Sequence, residues 1–145
     1  MIPQYGVIPF RPAGDGEIEI LLITSRETRR WVVPRGNPID GLSPPLSAAQ
    51  EAFEEAGIFG DVEIDPIGRY RYDKRRPSGD IDQMEVELFP MRVVEILDEW
   101  PEKAQRERRW FSQQEAAGAV AEADLAALIE AFGRDGDIGS SRISV

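Results

Sequence analysis

The chain has 145 residues, 41% hydrophobic and 30% charged, the size and balance of one globular domain with a real core and no apolar run long enough to span a bilayer. It contains neither cysteine nor histidine, which excludes disulfides, thiolate and Ser-His-Asp nucleophiles and zinc held by either residue. The net charge of −10 argues against a nucleic-acid polymer as partner, and the lack of a basic-then-apolar leader sets the expectation of a cytoplasmic protein off the membrane.

In chain order, residues 5–10 and 17–24 read as strands joined by the turn Pro12-Ala13-Gly14-Asp15-Gly16. Residues 31–33 form a third short strand, ended by Pro34, and a loop follows through residues 37–41. Ser43 is placed to cap a helix with Pro44 at its first position, and Leu46, Ala49, Phe53 and Ala56 give that helix an apolar stripe. Gly57 suits the left-handed residue that closes it. Residues 62–72 read as a strand and residues 74–80 as a polar turn. A long strand then runs from Met84 to Ile96, with Pro90 at a bulge or an edge. A short strand over residues 108–111, a helix capped by Ser112 and a final amphipathic helix carrying Leu125, Leu128, Ile129 and Phe132 complete the domain. Residues 1–135 are expected to form that single domain and residues 136–145 a mobile tail. Periodicity alone supports α+β or α/β.

The chemistry concentrates in the first helix. Offsets of three and four put Glu51, Glu54 and Glu55 on one helical face, where like charges are unfavourable unless a cation sits among them. Oxygen-only ligands on a rigid element suit Mg²⁺. Basic residues flank this helix in sequence: Arg26, Arg29, Arg30 and Arg35 before it, and Arg69, Arg71, Lys74, Arg75 and Arg76 after it. Together they are nine of the 17 Lys and Arg. An acidic protein with basic groups beside a carboxylate site fits a metal-dependent enzyme of phosphate esters. Tyr70 and Tyr72 alternate with Arg69 and Arg71, so one face of that strand is core and the other basic. Trp31, Trp100 and Trp110 read as core and rim packing, and Asp98 and Glu99 as exposed loop acids.

Gly36, Glu51, Glu54, Glu55, Gly57 and Ile58 together resemble the Nudix box, G-x5-E-x7-R-E-U-x-E-E-x-G-U with U apolar. Two positions depart from it: Leu42 stands where the box has its first Glu and Gln50 where it has Arg. One physical account is that the two missing residues are charge partners lost together, because an unpaired charge in a partly buried loop is costly. Asp40 is close enough in the loop to stand in for the carboxylate. The segments Arg30-Trp31-Val32-Val33-Pro34-Arg35-Gly36, residues 93–100 and residues 106–111 extend the resemblance to the diphosphoinositol polyphosphate phosphohydrolase branch.

That resemblance implies an α/β fold, a Nudix-type α/β/α sandwich with a mixed sheet between helices. It implies a Mg²⁺- or Mn²⁺-dependent hydrolase of diphosphate linkages in diadenosine polyphosphates or diphosphoinositol polyphosphates. Carried over by position, Glu51 and Glu55 are metal ligands, Glu54 a ligand or the base that deprotonates water, and the Arg35 backbone carbonyl a further ligand. Gly36 and Gly57 shape the loops. Arg29, Arg35, Arg69, Arg71, Lys74, Arg75 and Arg76 are the expected contacts to a small-molecule phosphoanhydride, in a monomer or homodimer. The alternative, motivated by Leu42 and Gln50, is a catalytically weak or inactive ligand-binding module on the same fold.

Overall fold

The computed structural model describes residues 1–133 and 142–145. Its elements are β1 (Ile2–Pro12), β2 (Ile18–Thr24), β3 (Trp31–Val32), β4 (Arg35–Gly36), α1 (Pro44–Ala56), β5 (Ile58–Glu63), β6 (Gly68–Arg75), β7 (Ile81–Ile96), a 3₁₀ turn (Lys103–Gln105), β8 (Arg108–Ser112), α2 (Gln113–Ala119), α3 (Ala123–Ala131) and β9 (Arg142–Ser144). The strands form one mixed sheet in the order β3-β2-β1-β7-β5-β9, with β4 also on β1, β6 on β7 and β8 on β2. β1 and β7 run parallel through its centre, from Ile2 beside Met84 to Phe10 beside Arg92.

Side-chain alternation along the central strands divides the interior into two cores. Val7, Leu21, Ile23, Phe89 and Met91 face one way and pack with Ala48, Ala49, Ala52 and Ala56 of α1. Ile8, Phe10, Ile20, Leu22, Val86 and Leu88 face the other way, toward Ala116 and Ala117 of α2 and Leu125 and Ile129 of α3. Two apolar faces on one sheet require a helical layer on each, and the result is the expected α/β/α sandwich.

Several boundaries differ from the sequence reading. The run over residues 62–72 is two strands, because Asp65-Pro66 turns the chain between the end of β5 and the start of β6. β6 continues to Arg75, and the hairpin turn is closed by Arg76 N–H to Asp80 C=O at 2.8 Å and Gly79 N–H to Arg76 C=O at 2.8 Å. Pro90 sits inside β7 where the flanking partner changes. β6 pairs as far as Leu88 and β5 begins at Met91, so the missing N–H points into the gap between them. Of the expected tail, residues 136–141 lie outside the described residues, while Arg142–Ser144 pairs antiparallel with β5 as β9.

Candidate active site

Helix α1 is built to hold an acidic face against the sheet. Ser43 occupies the N-cap in extended conformation, without a side-chain capping bond, and Pro44 opens the helix. Ser47 does the local pinning: its hydroxyl accepts the Ile39 N–H at 3.0 Å and ties down the preceding loop. The buried apolar stripe is Ala48, Ala49, Ala52 and Ala56; Ala49 and Ala56 belong to the stripe read from the sequence, while Leu46 and Phe53 are only half-buried, so the helix lies close on β1 through alanines. Phe53 sits at its side, stacked on Phe59 at 5.1 Å. Gly57 ends the helix at φ 68°, its N–H donating to Phe53 C=O. Beyond it, Arg108 donates to the carbonyls of Ala56 (2.8 Å) and Leu97 (2.6 Å) while stacking 3.8 Å over Trp100. The Trp100 indole N–H donates to Glu55 C=O at 3.1 Å, so Trp100 serves the helix end.

The three carboxylates have different surroundings. Glu51 lies directly against the α-carbon of Gly36: a Cβ there would stand 2.2 Å from Glu51 Cδ. Glu55 is buried, accepts the Arg35 N–H at 3.2 Å on one oxygen and faces the Arg106 guanidinium at 3.5 Å with the other. The Arg35–Gly36 peptide, which carries the expected carbonyl ligand, is thus bounded by Glu55 at one end and Glu51 at the other. Glu54 accepts a hydrogen bond from Gln50 at 3.3 Å. Burial pushes Glu51 up to about 7, helped by Glu54 and Glu102 and opposed by Arg106. Burial also pushes Glu55 up to about 7, against the pull of Arg106 and the Arg35 N–H.

Three carboxylates, those of Glu51, Glu55 and Glu102, therefore gather about the buried Arg106 side chain, and Glu54 adds its charge beside Glu51. That negative excess and the all-oxygen donor set suit a hard divalent ion such as Mg²⁺ or Mn²⁺. The bare α-carbon at Gly36 leaves room for the Glu51 carboxylate, and the residues present fit such an ion. Among the described residues no group of three or more acidic side chains stands close enough together to hold a metal ion; Glu54 accepts from Gln50, and Glu55 accepts from the Arg35 N–H and faces Arg106.

The expected substrate contacts are dispersed. The Arg35 guanidinium lies on the opposite face of the sheet, 3.9 Å over the Tyr72 ring and donating to the buried Tyr70 hydroxyl at 3.2 Å. Arg69 and Arg71 face Glu87 (2.9 Å) and Glu85 (3.2 Å) across β7. Register places Gly36, Tyr5, Glu87 and Arg69 in one row across β4, β1, β7 and β6, which sets Arg69 about 14 Å from Gly36 at ordinary strand spacing. Lys74, Arg75 and Arg76 lie at the hairpin tip, with Arg76 paired to Asp82 at 3.1 Å, about 20 Å along β6 from that row. Arg29 donates to the Gln105 carbonyl at 3.0 Å, on the loop that carries Arg106. Leu42 and Asp40 are exposed. Sequence reasoning assigned no role to Arg106 or Glu102. Their spacing of four is a helical pairing signal in a segment without helical pattern, so it did not stand out.

A mixed sheet between helical layers, with an acidic helix seated behind a glycine loop, defines the class to which the comparisons point. The NUDIX domain family model matches residues 3–132, and the chain belongs to the Nudix family. It is 32% identical over 130 residues to Nudix hydrolase 21, chloroplastic, of Arabidopsis thaliana, covering 88% of this chain and 64% of that protein. It is 31% identical over 103 residues to diphosphoinositol polyphosphate phosphohydrolase 3-beta of Bos taurus, covering 69% of this chain and 58% of that protein. The chain thus spans less than two thirds of the length of either relative. The fold is shared with a C. elegans Ap4A hydrolase binary complex at 20% identity and TM-score 0.66, covering 91% of this chain and 95% of that one. It is shared too with a MutT protein from Methanosarcina mazei Go1 at 21% identity and TM-score 0.64, covering 93% and 94%. No helix among the described residues is long and apolar enough to cross a membrane.

Proposed function

We propose that this chain is a Mg²⁺- or Mn²⁺-dependent hydrolase that cleaves a diphosphate linkage in a nucleoside diphosphate derivative. The observation that carries the reading is the seating of Glu51 on Gly36, beside Glu55 and Glu54 on the same face of α1. Glu51 and Glu55 would hold the cation, together with the Arg35 carbonyl. When bound, that cation supplies neutralisation of the diphosphate charge and acidification of water. The protein's own work is positioning and electrostatics, since phosphoryl transfer asks little covalent chemistry of it. Glu54, engaged through a single long bond to Gln50, takes the proton of the attacking water. The row from Tyr5 to Arg69, on the same side of the sheet as α1, would receive the distal part of the substrate at its exposed Arg69 end.

A diadenosine polyphosphate is the leading substrate and a diphosphoinositol polyphosphate the second. Arg69 and Arg71 are each matched by a glutamate, so the far end of that row has little net positive charge. A fully phosphorylated inositol calls for a denser basic surface than this. The reading places the enzyme in the cytoplasm, acting on small molecules and not on nucleic acid or membrane. Nucleotide and phosphate release from both substrate types, with Mg²⁺ and with chelator, is the test. Mg²⁺-dependent release from the dinucleotide supports the reading. Cation binding without turnover of either substrate replaces it with a binding module.

A further inference from the structure

Arg106 and Glu102 lie outside α1, yet they complete its acidic site. The Arg106 side chain is 8% exposed and is held at three donor positions: Nε on Glu102 Oε1 at 2.9 Å, Nη1 on Thr24 C=O at 3.1 Å, and Nη2 at 3.5 Å from Glu55 Oε2. The loop that presents it is pinned as well. Thr24 N–H donates to Glu107 C=O at 3.0 Å, and Glu107 N–H donates back to the Thr24 hydroxyl at 2.9 Å. Glu102 N–H donates to Glu54 C=O at 3.0 Å, closing the loop onto the last turn of α1. Glu55 is therefore held at both oxygens, by Arg106 on one and by the Arg35 N–H on the other.

The helix itself supplies no such cation. Gln50 is neutral and turned onto Glu54, Leu42 is apolar and 40% exposed, and Asp40, the acid of the same loop, is exposed. We infer that Arg106 is a positioning residue that aims Glu55 from the loop after β7, and that Glu102 holds Arg106 in place. The inference rests on the hydrolase reading above. It differs from a simple loop staple in one respect that can be measured. A staple affects stability alone, whereas a residue aiming a ligand affects cation affinity and turnover. Partners that orient a metal ligand from behind typically matter by about 10–100-fold in affinity or activity.

The test compares the wild type with Arg106→Gln, Arg106→Lys and Glu102→Gln. Mn²⁺ titration calorimetry is run without substrate, and hydrolysis of diadenosine tetraphosphate is run at saturating Mn²⁺. Arg106→Gln is expected to lower Mn²⁺ affinity or kcat about 10–100-fold, with KM within about threefold. Arg106→Lys keeps the charge and recovers about tenfold of the loss, and Glu102→Gln gives an intermediate loss at unchanged KM. If circular dichroism shows that Arg106→Gln does not fold, Glu102→Gln carries the decision. Mn²⁺ affinity and kcat within about twofold of wild type overturn the inference, including where only the melting temperature falls. A wild type that binds Mn²⁺ but hydrolyses nothing removes the hydrolase reading and leaves the affinity comparison standing. A wild type that neither binds Mn²⁺ nor turns over removes both.

Discussion

Gly36 and Glu51 show at the scale of single residues how sequence sets the site. The Cβ of an alanine at Gly36 would meet the far end of the Glu51 side chain, which can swing aside, rather than backbone, which cannot. Gly36→Ala is therefore expected to leave the melting temperature nearly unchanged while weakening Mg²⁺ binding by about tenfold or more, read by calorimetry. Glu51→Gln and Glu55→Gln are each expected to abolish most turnover at low Mg²⁺ in a folded protein, because each removes a ligand charge. Near-normal turnover in either would place the ion elsewhere. The same two groups give a pH dependence whose sign is fixed. Their carboxyls titrate at about 7 in the folded protein instead of the ordinary 4.5, so between those values the folded chain holds protons that the unfolded chain has released. The stability they contribute is full below 4.5 and is lost as pH rises toward 7. A divalent ion must displace those protons, so millimolar Mg²⁺ should raise the melting temperature more at about pH 8 than at about pH 5.5. Equal shifts at the two pH values would contradict it.

At the scale of elements, cap and turn chemistry made the helices legible and hid part of the sheet. Ser112 reads as an N-cap, and the structure adds the full reciprocal box: its hydroxyl accepts the Glu115 N–H at 3.1 Å while Glu115 accepts the Ser112 N–H at 3.0 Å. Ser112→Ala should cost about 1 kcal/mol in denaturant unfolding and leave turnover unchanged, since α2 lies across the sheet from α1. Ser43 also reads as a cap and does stand at the N-cap, but without the side-chain bond; Pro45 removes the N2 donor, and the N3 donor, Leu46 N–H, is not taken up by the hydroxyl. The pattern over residues 62–72 reads as one strand because the β-like residues around Val62 and Tyr70 outweigh the turn signal of Asp65-Pro66. β9 was invisible as a strand, being three residues after a Gly- and Asp-rich stretch. The carboxylates of α1 were legible because helical spacing gathers them. Glu102 and Arg106 were not, because a fold contact, and no local periodicity, brings their loop onto α1.

Across the whole molecule, the Nudix resemblance implied a mixed sheet between helices, and the structure adds how β1 divides its faces: Val7 toward α1, Ile8 and Phe10 toward α2 and α3. What the order could not give is which basic residues face the acidic helix. Arg69 shares its row across the sheet, Arg35 crosses to the far side, and Lys74 to Arg76 extend away on a hairpin. The acidic site thus sits in a molecule of net charge −10 whose nearby arginines are largely paired, and a divalent ion is the charge that would let a polyphosphate approach. The most direct test of that claim is nucleotide release from diadenosine tetraphosphate by the wild type and Glu54→Gln, in Mg²⁺ and in chelator. The account expects release by the wild type in Mg²⁺ alone and its near-complete loss in Glu54→Gln. Release that persists in chelator, or that is unchanged in Glu54→Gln, would contradict it.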